Sequence, residues 1–377
     1  MPTYLDHNAT THLDPRVLEA MLPHLSGPSA NASSLHRYGR MARDAVEQAR
    51  QQLAQLVGCD AREIVWTSGG TEANNLALKG MTADQAQARV LYGATDHPAV
   101  MEAAESLRDR GCNVEPIAVD AKGEIVLEAY RRQLEQSPTF MVSVMRANNE
   151  TGVVQDLAQI AELAHAKEAL VHVDAVQALG KIAVDVSELQ ADLLSVSSHK
   201  IYGPKGCGAL VVRSHVDLFA TQHGGAQERG LRGGTENVAA IVGFGAAAEL
   251  AQAELTSRAV HCQTLREALE DGLRSQSGIR IFAEQARQRL PNTVQFAVPG
   301  WDGEALLMAL DRKGFAVSSG SACASGSGEP SHVLLAMGLD RDTAKGAIRV
   351  SLGKDNSRQD VDAFLGALSE ITARGTR

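Results

Sequence analysis

Apolar and polar positions follow two different periods along most of this chain. In MARDAVEQARQQLAQLVG (41–58) apolar residues recur every three or four positions, which predicts an amphipathic helix. Short apolar or β-branched runs, such as EIVWTSG (63–69), ARVLYGA (88–94) and DLLSVSSHK (192–200), predict strands. Helical and strand segments alternate from about residue 40 to 256. This alternation predicts a largely parallel sheet covered by helices on both faces.

The rhythm changes after about residue 258. A long helical stretch at 259–276 leads into short strands and helices, which predicts a smaller α+β unit. A chain of 377 residues is also longer than one compact core usually spans. We therefore expect a large domain at 15–257 and a small domain formed by 1–14 and 258–377.

The charge and hydropathy of the chain argue against a nucleic-acid partner, a membrane span and a signal peptide. The chain has 36 Lys and Arg against 45 Asp and Glu, and no basic cluster suggests a nucleic-acid partner. The pattern shows no uninterrupted apolar stretch of membrane-spanning length, and the first residues lack the apolar region of a signal peptide. We expect a cytoplasmic protein.

The five cysteines have no spacing typical of a disulfide framework or a metal site. They are Cys59, Cys112, Cys207, Cys262 and Cys323, with no CxxC pair among them. We therefore expect no bound metal. The first four are read as small buried hydrophobic residues. Cys323 differs because it lies in SSGSACASG, a run of small residues that predicts a surface loop at 318–326.

Two strand ends carry residues suited to cofactor chemistry. Lys200 closes one apolar run, and Asp174 closes the preceding one in HVDAVQALG. Ligands of open α/β sheets bind at the carboxyl ends of strands. A lysine there is either a solvated side chain or a Schiff-base lysine for a carbonyl cofactor. Asp174 is either a turn former or the acid that faces the pyridine nitrogen of pyridoxal phosphate (PLP).

A phosphate-binding segment is also present. Gly69, Gly70 and Thr71 stand at the start of a predicted helix, where unpaired N–H groups and the helix dipole favour an anion. The hydroxyl of Ser197 and the ring of His199 lie next to Lys200 and could add contacts. Alone, the glycine-rich segment indicates only a helix start with Thr71 as cap.

Three further residues have a structural and a functional interpretation. His97 follows a strand, and it is either structural or a ring that stacks on PLP and moves protons. Asn149 follows another strand and could bind a ring oxygen or a substrate carboxylate. Arg349 lies in a short apolar strand and needs an anion, which is either an internal carboxylate or a substrate carboxylate.

The motifs together resemble a known family. They are TSGGTEANNLA, TDHPAV, NNETGVVQD, HVDAVQALGK, SSHKIYGPKGCGAL, ERGLRGGTENV, SSGSACASG and IRVSLG. The set is similar to class V, fold-type I PLP enzymes, and more narrowly to group I (NifS/IscS-like) cysteine desulfurases. This resemblance implies a large domain with a mainly parallel seven-stranded sheet between helices, plus a smaller α+β C-terminal domain.

The resemblance also implies roles for individual residues. Lys200 holds PLP and moves the substrate Cα proton, Cys323 accepts sulfur, and His97 stacks on the ring as acid or base. The remaining implied contacts are Asp174 to the pyridine nitrogen, Gln177 and Asn149 to the ring oxygen, Gly70, Thr71, Ser197 and His199 to the phosphate, and Asn149 and Arg349 to the substrate. Thr235 is implied to reach the cofactor phosphate of a neighbouring subunit in a homodimer.

The activity implied is the conversion of L-cysteine to L-alanine, with a persulfide on Cys323 that passes to a sulfur-acceptor or iron–sulfur scaffold protein. Selenocysteine lyase or another class V PLP enzyme is an alternative on the same scaffold. A sulfur-delivery or scaffold-binding protein without activity is a third possibility. The acceptor could serve nitrogenase, general iron–sulfur assembly or tRNA thiolation, and the sequence does not choose among them.

Overall fold

The structure is a computed structural model that describes residues 2–319 and 329–375. The predicted surface loop at 318–326, with Cys323, therefore lies almost wholly outside the described residues. In chain order the strands are β1 (Thr3–Tyr4), β2 (Ile64–Thr67), β3 (Arg89–Gly93), β4 (Asn113–Ile117), β5 (Met141–Met145), β6 (Leu170–Asp174), β7 (Leu193–Ser197), β8 (Gly208–Val212), β9 (Arg280–Ile281), β10 (Thr293–Ala297), β11 (Phe315–Ala316), β12 (Ser318–Ser319) and β13 (Ala347–Ser351).

The helices follow the predicted alternation. They are α1 (Pro15–Ser26), α2 (Arg37–Val57), α3 (Gly70–Met81), α4 (Pro98–Glu105), α5 (Leu127–Gln136), α6 (Leu157–His165), α7 (Val238–Arg274), α8 (Gly303–Arg312), α9 (His332–Ala336), α10 (Arg341–Lys345) and α11 (Arg358–Gly375). Helix α4 ends at Glu105. The chain then makes a separate 3-10 turn at Arg108–Arg110, which Gly111 closes with a φ of 86°.

A seven-stranded sheet in the order β2-β8-β7-β6-β5-β3-β4 forms the centre of the molecule. All neighbouring pairs from β7 to β4 are parallel, and β8 alone runs antiparallel to both of its neighbours. The predicted mainly parallel sheet is confirmed. The antiparallel strand β8 returns the chain beside the segment that carries Lys200.

Strand residues alternate between two apolar cores, as a sheet covered on both faces requires. Trp66 and Val171 pack on one face with α2, α6 and α7. Val65 and Leu193 pack on the other face with α3 and α4. The sheet is therefore enclosed by helices, and the groups free to bind ligands are those at its edges.

A second, antiparallel sheet has the order β12-β13-β10-β9. It packs with α8, α11 and the last turns of α7 around a separate apolar core that includes Phe296 and Phe364. The N-terminal segment belongs here as well, because β1 pairs with β11 and Asp6 bridges to Ser351. This connection brings residues 5–11 against the central sheet.

Helix α7 joins the two cores. Its first turns pack with α1 and α2, and Leu265, Leu269 and Leu273 pack in the smaller core. The predicted domain division at 257/258 falls inside this helix and stays a prediction. By length and composition α7 could cross a membrane, which the sequence pattern did not single out, but 50% of its most apolar window is buried inside the protein. A core helix meets the same criteria, so α7 alone does not indicate a membrane span.

Candidate active site

A cavity of about 350 Å³ opens at the carboxyl edge of the central sheet, between the two cores. Ten residues singled out by sequence line it: Gly70, Thr71, His97, Asn149, Asp174, Gln177, Ser197, His199, Lys200 and Arg349. Seven of them end or follow β3, β5, β6 and β7, which are parallel neighbours, so the segments after these strands leave the sheet at one edge. Gly70 and Thr71 follow β2, and Arg349 comes from β13 of the smaller sheet.

Lys200 lies in a 3-10 turn, Ser198–Lys200, directly after β7. Its Nζ donates hydrogen bonds to the main-chain carbonyls of Asn8 and Ala9, the latter at 2.8 Å. The N-terminal segment thus folds over the lysine and holds its amine at the cavity wall.

Asp174 ends β6 and is 5% exposed. One carboxylate oxygen, Oδ2, accepts a hydrogen bond from Asn74 Nδ2 at 2.7 Å, and Oδ1 accepts one from the main-chain N–H of Val176 at 3.0 Å. A carboxylate held by two donors has a defined orientation. It can face a cationic ring nitrogen, which would otherwise need a counter-charge inside the protein.

The N-terminus of α3 forms one end of the cavity. Gly70 has no space for a side chain, because a Cβ there would lie 2.6 Å from Val176 Cγ2. Gly208 of β8 is required for the same reason, since its Cβ would lie 2.6 Å from the Gly69 Cα. These close approaches leave main-chain N–H groups of the first helical turn at the cavity, as an anion site needs.

His199 and Ser197 adjoin that helix N-terminus. His199 Nδ1 lies 3.1 Å from Thr10 Oγ1, and burial lowers the pKa of His199 to about 4. The ring is therefore neutral at pH 7 and offers a hydrogen bond rather than a charge. The Ser197 hydroxyl is buried and, within residues 2–319 and 329–375, has no hydrogen-bond partner.

His97 caps α4, since its Nδ1 accepts a hydrogen bond from the Ala99 N–H at 3.0 Å. Burial lowers the pKa of His97, with Lys200 and Arg349 acting in the same direction against Asp174. A neutral ring that accepts at Nδ1 carries its proton on Nε2. As it stands, the neutral imidazole offers a hydrogen bond through its Nε2–H, and it can take up a proton only if the contact of Nδ1 with Ala99 breaks.

Arg349 lies in β13 and is 1% exposed. Its Nη2 donates to Asp6 Oδ1 at 2.7 Å, and its Nη1 donates to the carbonyl of Asn149 at 3.1 Å. The internal salt bridge that the sequence left open is therefore present. Since Arg349 also lines the cavity, its remaining N–H groups are placed to meet a carboxylate there.

Comparison with known proteins places this constellation in a family. The Aminotransferase class-V family model matches residues 3–364. This chain belongs to the class-V aminotransferase family. It is 44% identical over 374 residues to a curated cysteine desulfurase of Gluconacetobacter diazotrophicus, covering 98% of this chain and 93% of the relative. It is 45% identical over 367 residues to a cysteine desulfurase IscS of Anaeromyxobacter sp. (strain K), covering 96% and 90%.

A solved structure described as a NifS-like protein superposes with a TM-score of 0.92 at 38% identity, covering 99% of this chain and all of that one. The α/β fold predicted from sequence, with its mainly parallel sheet, is confirmed.

Membership of the class-V aminotransferase family implies PLP as the cofactor, and the residues that line the cavity fit this cofactor. A small-residue cradle lies at a helix N-terminus, the unpartnered Ser197 hydroxyl is beside it, and a fixed carboxylate, Asp174, lines the same cavity as Lys200. These features match a phosphate, a pyridine nitrogen and an aldehyde, respectively.

Two predicted residues are not among the described residues that line the cavity. Thr235 is exposed in the loop before α7 and lines no part of it in this single chain. Cys323 lies outside the described residues. The proposed contacts of both stay predictions.

Three residues near the cavity were missed from sequence: Asn8, Asn74 and Asp6. Asn74 follows the phosphate segment by one helical turn, and this i, i+3 spacing from Thr71 could have identified it. Asn8 and Asp6 precede every predicted cavity residue by at least 60 positions. Only the pairing of β1 with β11, which is distant in sequence, brings these two residues to the cavity.

Proposed function

We propose that this chain is a PLP-dependent cysteine desulfurase that converts L-cysteine to L-alanine and carries the sulfur on Cys323. The observation that carries the proposal is the shared cavity of Lys200, Asp174 and Arg349 in a chain whose full-length relatives are named cysteine desulfurases. A transaminase does not need a cysteine at position 323. In this proposal the SSGSACASG motif supplies Cys323 as the sulfur acceptor.

PLP, when bound, supplies an electron sink for the charge left when the substrate Cα loses its proton. Lys200 would hold it, with Asp174 at the ring nitrogen and Gln177 and Asn149 at the ring oxygen. The phosphate would lie against Gly70, Thr71, Ser197 and His199. Arg349 orients the substrate by its carboxylate, and this fixes which bond at Cα is exposed to Lys200.

The chain's own groups move the protons and the sulfur. The Lys200 amine takes the Cα proton, and His97 gives or takes a proton nearby. The Cys323 thiolate attacks the substrate sulfur, so that an S–S bond forms as the substrate C–S bond breaks. The electron pair of the broken bond stays with carbon, which is protonated. The net change is cysteine plus Cys323 thiol to alanine plus Cys323 persulfide.

The persulfide is then passed to a sulfur-acceptor or iron–sulfur scaffold protein, and the enzyme works as a cytoplasmic homodimer. Support for the dimer comes from exposed apolar side chains on α1 and in the segment just before α2. They include Leu22 at 47%, Leu25 at 61% and Leu35 at 81% exposure. A second copy of the chain would cover such a patch. The exposed position of Thr235 leaves it accessible to that copy.

The test is incubation of the PLP-loaded protein with L-cysteine and a thiol reductant, followed by assay of both alanine and sulfide. Equal amounts of the two products are expected. Cys323→Ser should keep bound PLP yet release no sulfide, whereas Cys59→Ser serves as the matched control with normal output. Sulfide release by Cys323→Ser at the wild-type rate would overturn the proposal.

A further inference from the structure

Lys181 is a partly buried lysine beside the cavity that the proposed reaction does not use. It lies just after Gly180 in the segment between β6 and β7, and it lines a second, smaller cavity together with Arg258 and Cys262. Its Nζ donates to Asn8 Oδ1 at 2.8 Å and to Gln177 Oε1 at 2.6 Å. Both contacts are to amide oxygens, and no carboxylate of the described chain is among its partners.

Two hydrogen bonds of the Gln177 side chain determine the orientation of its amide group. Gln177 Oε1 accepts from Lys181, and Gln177 Nε2 donates to the Asn8 carbonyl at 2.9 Å. A main-chain carbonyl only accepts, so the nitrogen must lie on the Asn8 side and the oxygen on the Lys181 side. One N–H of Nε2 remains, and Gln177 lines the active-site cavity.

Asn8 is held in the same manner. Its Oδ1 accepts from Lys181 and from Asn292 at 3.1 Å, while its Nδ2 donates to the Asn149 carbonyl at 3.0 Å and to Thr293 at 2.8 Å. The Asn8 carbonyl in turn accepts from Lys200. Lys181 therefore joins a hydrogen-bonded network that reaches Gln177, Asn149 and Lys200 at once.

The orientation of Gln177 matters because the PLP ring oxygen is an anionic acceptor. An N–H donor there stabilises it, whereas a flipped amide would present oxygen to oxygen. We propose that Lys181 is a positioning residue that locks the Gln177 amide with its N–H toward the cofactor ring oxygen. This inference rests on the proposed function, since it needs PLP in the cavity.

A double-mutant cycle in PLP affinity tests the inference, with Lys181→Met, Gln177→Met and the double variant measured by PLP titration of the apoproteins. Loss of one buried hydrogen bond to a charged acceptor should weaken PLP binding about tenfold. If Lys181 acts through Gln177, the double variant should bind no more weakly than Gln177→Met alone. The visible absorbance of bound PLP should shift alike in all three.

Controls separate positioning from general stability. Lys122→Met, at an exposed turn, should match wild type, and Lys181→Arg, which keeps the donors, should restore most of the affinity. Thermal melting of each apoprotein reports folding, and Lys181→Gln replaces the Met variant in the cycle if that variant does not fold.

Additive losses, or wild-type affinity and absorbance in Lys181→Met, would overturn the inference while the proposed function stands. A wild-type chain that takes up no PLP would overturn both.

Discussion

Asn74 is expected to set the strength of PLP binding without touching the reacting atoms, because it orients Asp174. Its Nδ2 donates to Asp174 Oδ2 at 2.7 Å, and the two side chains are 1% and 5% exposed. A buried hydrogen bond to a charged group contributes about 1.5–3 kcal/mol. Asn74→Ala leaves Asp174 with only the Val176 N–H, so the carboxylate loses one of its two described donors.

Transmitted in full to the cofactor, that loss corresponds to about 10- to 150-fold weaker PLP binding. We expect a value near the lower end, because part of the energy orients the carboxylate in the free protein as well. PLP titration of the apoprotein, followed by absorbance, measures the dissociation constant directly. Asn113→Ala, an exposed asparagine on β4, is the matched control and should bind PLP as wild type does.

Asn74→Asp sharpens the comparison. It keeps the size of the side chain but sets a second carboxylate against Asp174, which should weaken PLP binding further than Asn74→Ala. Wild-type affinity and absorbance in both variants would refute the argument that Asn74 positions Asp174 for the ring nitrogen.

Three further outcomes are expected. Arg349→Lys should raise KM for L-cysteine by about tenfold or more, with a smaller change in kcat. Lysine lacks the planar guanidinium group that contacts Asp6, the Asn149 carbonyl and a carboxylate together. Steady-state kinetics with an unchanged KM would contradict this prediction. His172 is fully buried between the hydroxyls of Ser143 and Ser195, and burial lowers its pKa to about 3. Below pH 6.5 the His172 side chain takes up a proton in the unfolded chain but not in the folded chain. The free energy of unfolding should therefore fall by about 1.4 kcal/mol per pH unit from pH 6 towards 3. Urea unfolding of His172→Gln should show a flatter decline over this range, and an equal slope would contradict it. Leu22→Glu should shift the protein from dimer to monomer in light scattering, whereas a monomeric wild type would contradict the proposed homodimer.

The parts of the site that follow strands could be predicted from sequence. Asp174 and Lys200 end consecutive apolar runs, and parallel strands necessarily bring such ends to one edge. The short apolar run around Arg349 likewise predicted a buried arginine that needs an anion. In each case a local pattern carries the information.

The contacts that orient these groups could not be predicted in this way. Asp6 meets Arg349 across 343 positions of sequence, and Asn8 meets Lys200 across 192. Nothing in a polar N-terminal segment signals which strand it will cross. The extent of α7 was missed for a related reason, since its first half reads as the end of one unit and its second half as the start of another.

The central claim is that sulfur from L-cysteine passes to Cys323. The direct test is one addition of L-cysteine to the PLP-loaded protein without reductant, followed by mass spectrometry of its cysteine peptides. Burial raises the pKa of Cys59 to about 12 and of Cys262 to about 11, and raises that of Cys207 further. These thiols stay protonated near pH 8 and are poor nucleophiles.

One added sulfur atom on the Cys323 peptide, with alanine formed in equal amount, is the predicted result. Alanine formed with the sulfur on another cysteine, or on none, would contradict the account.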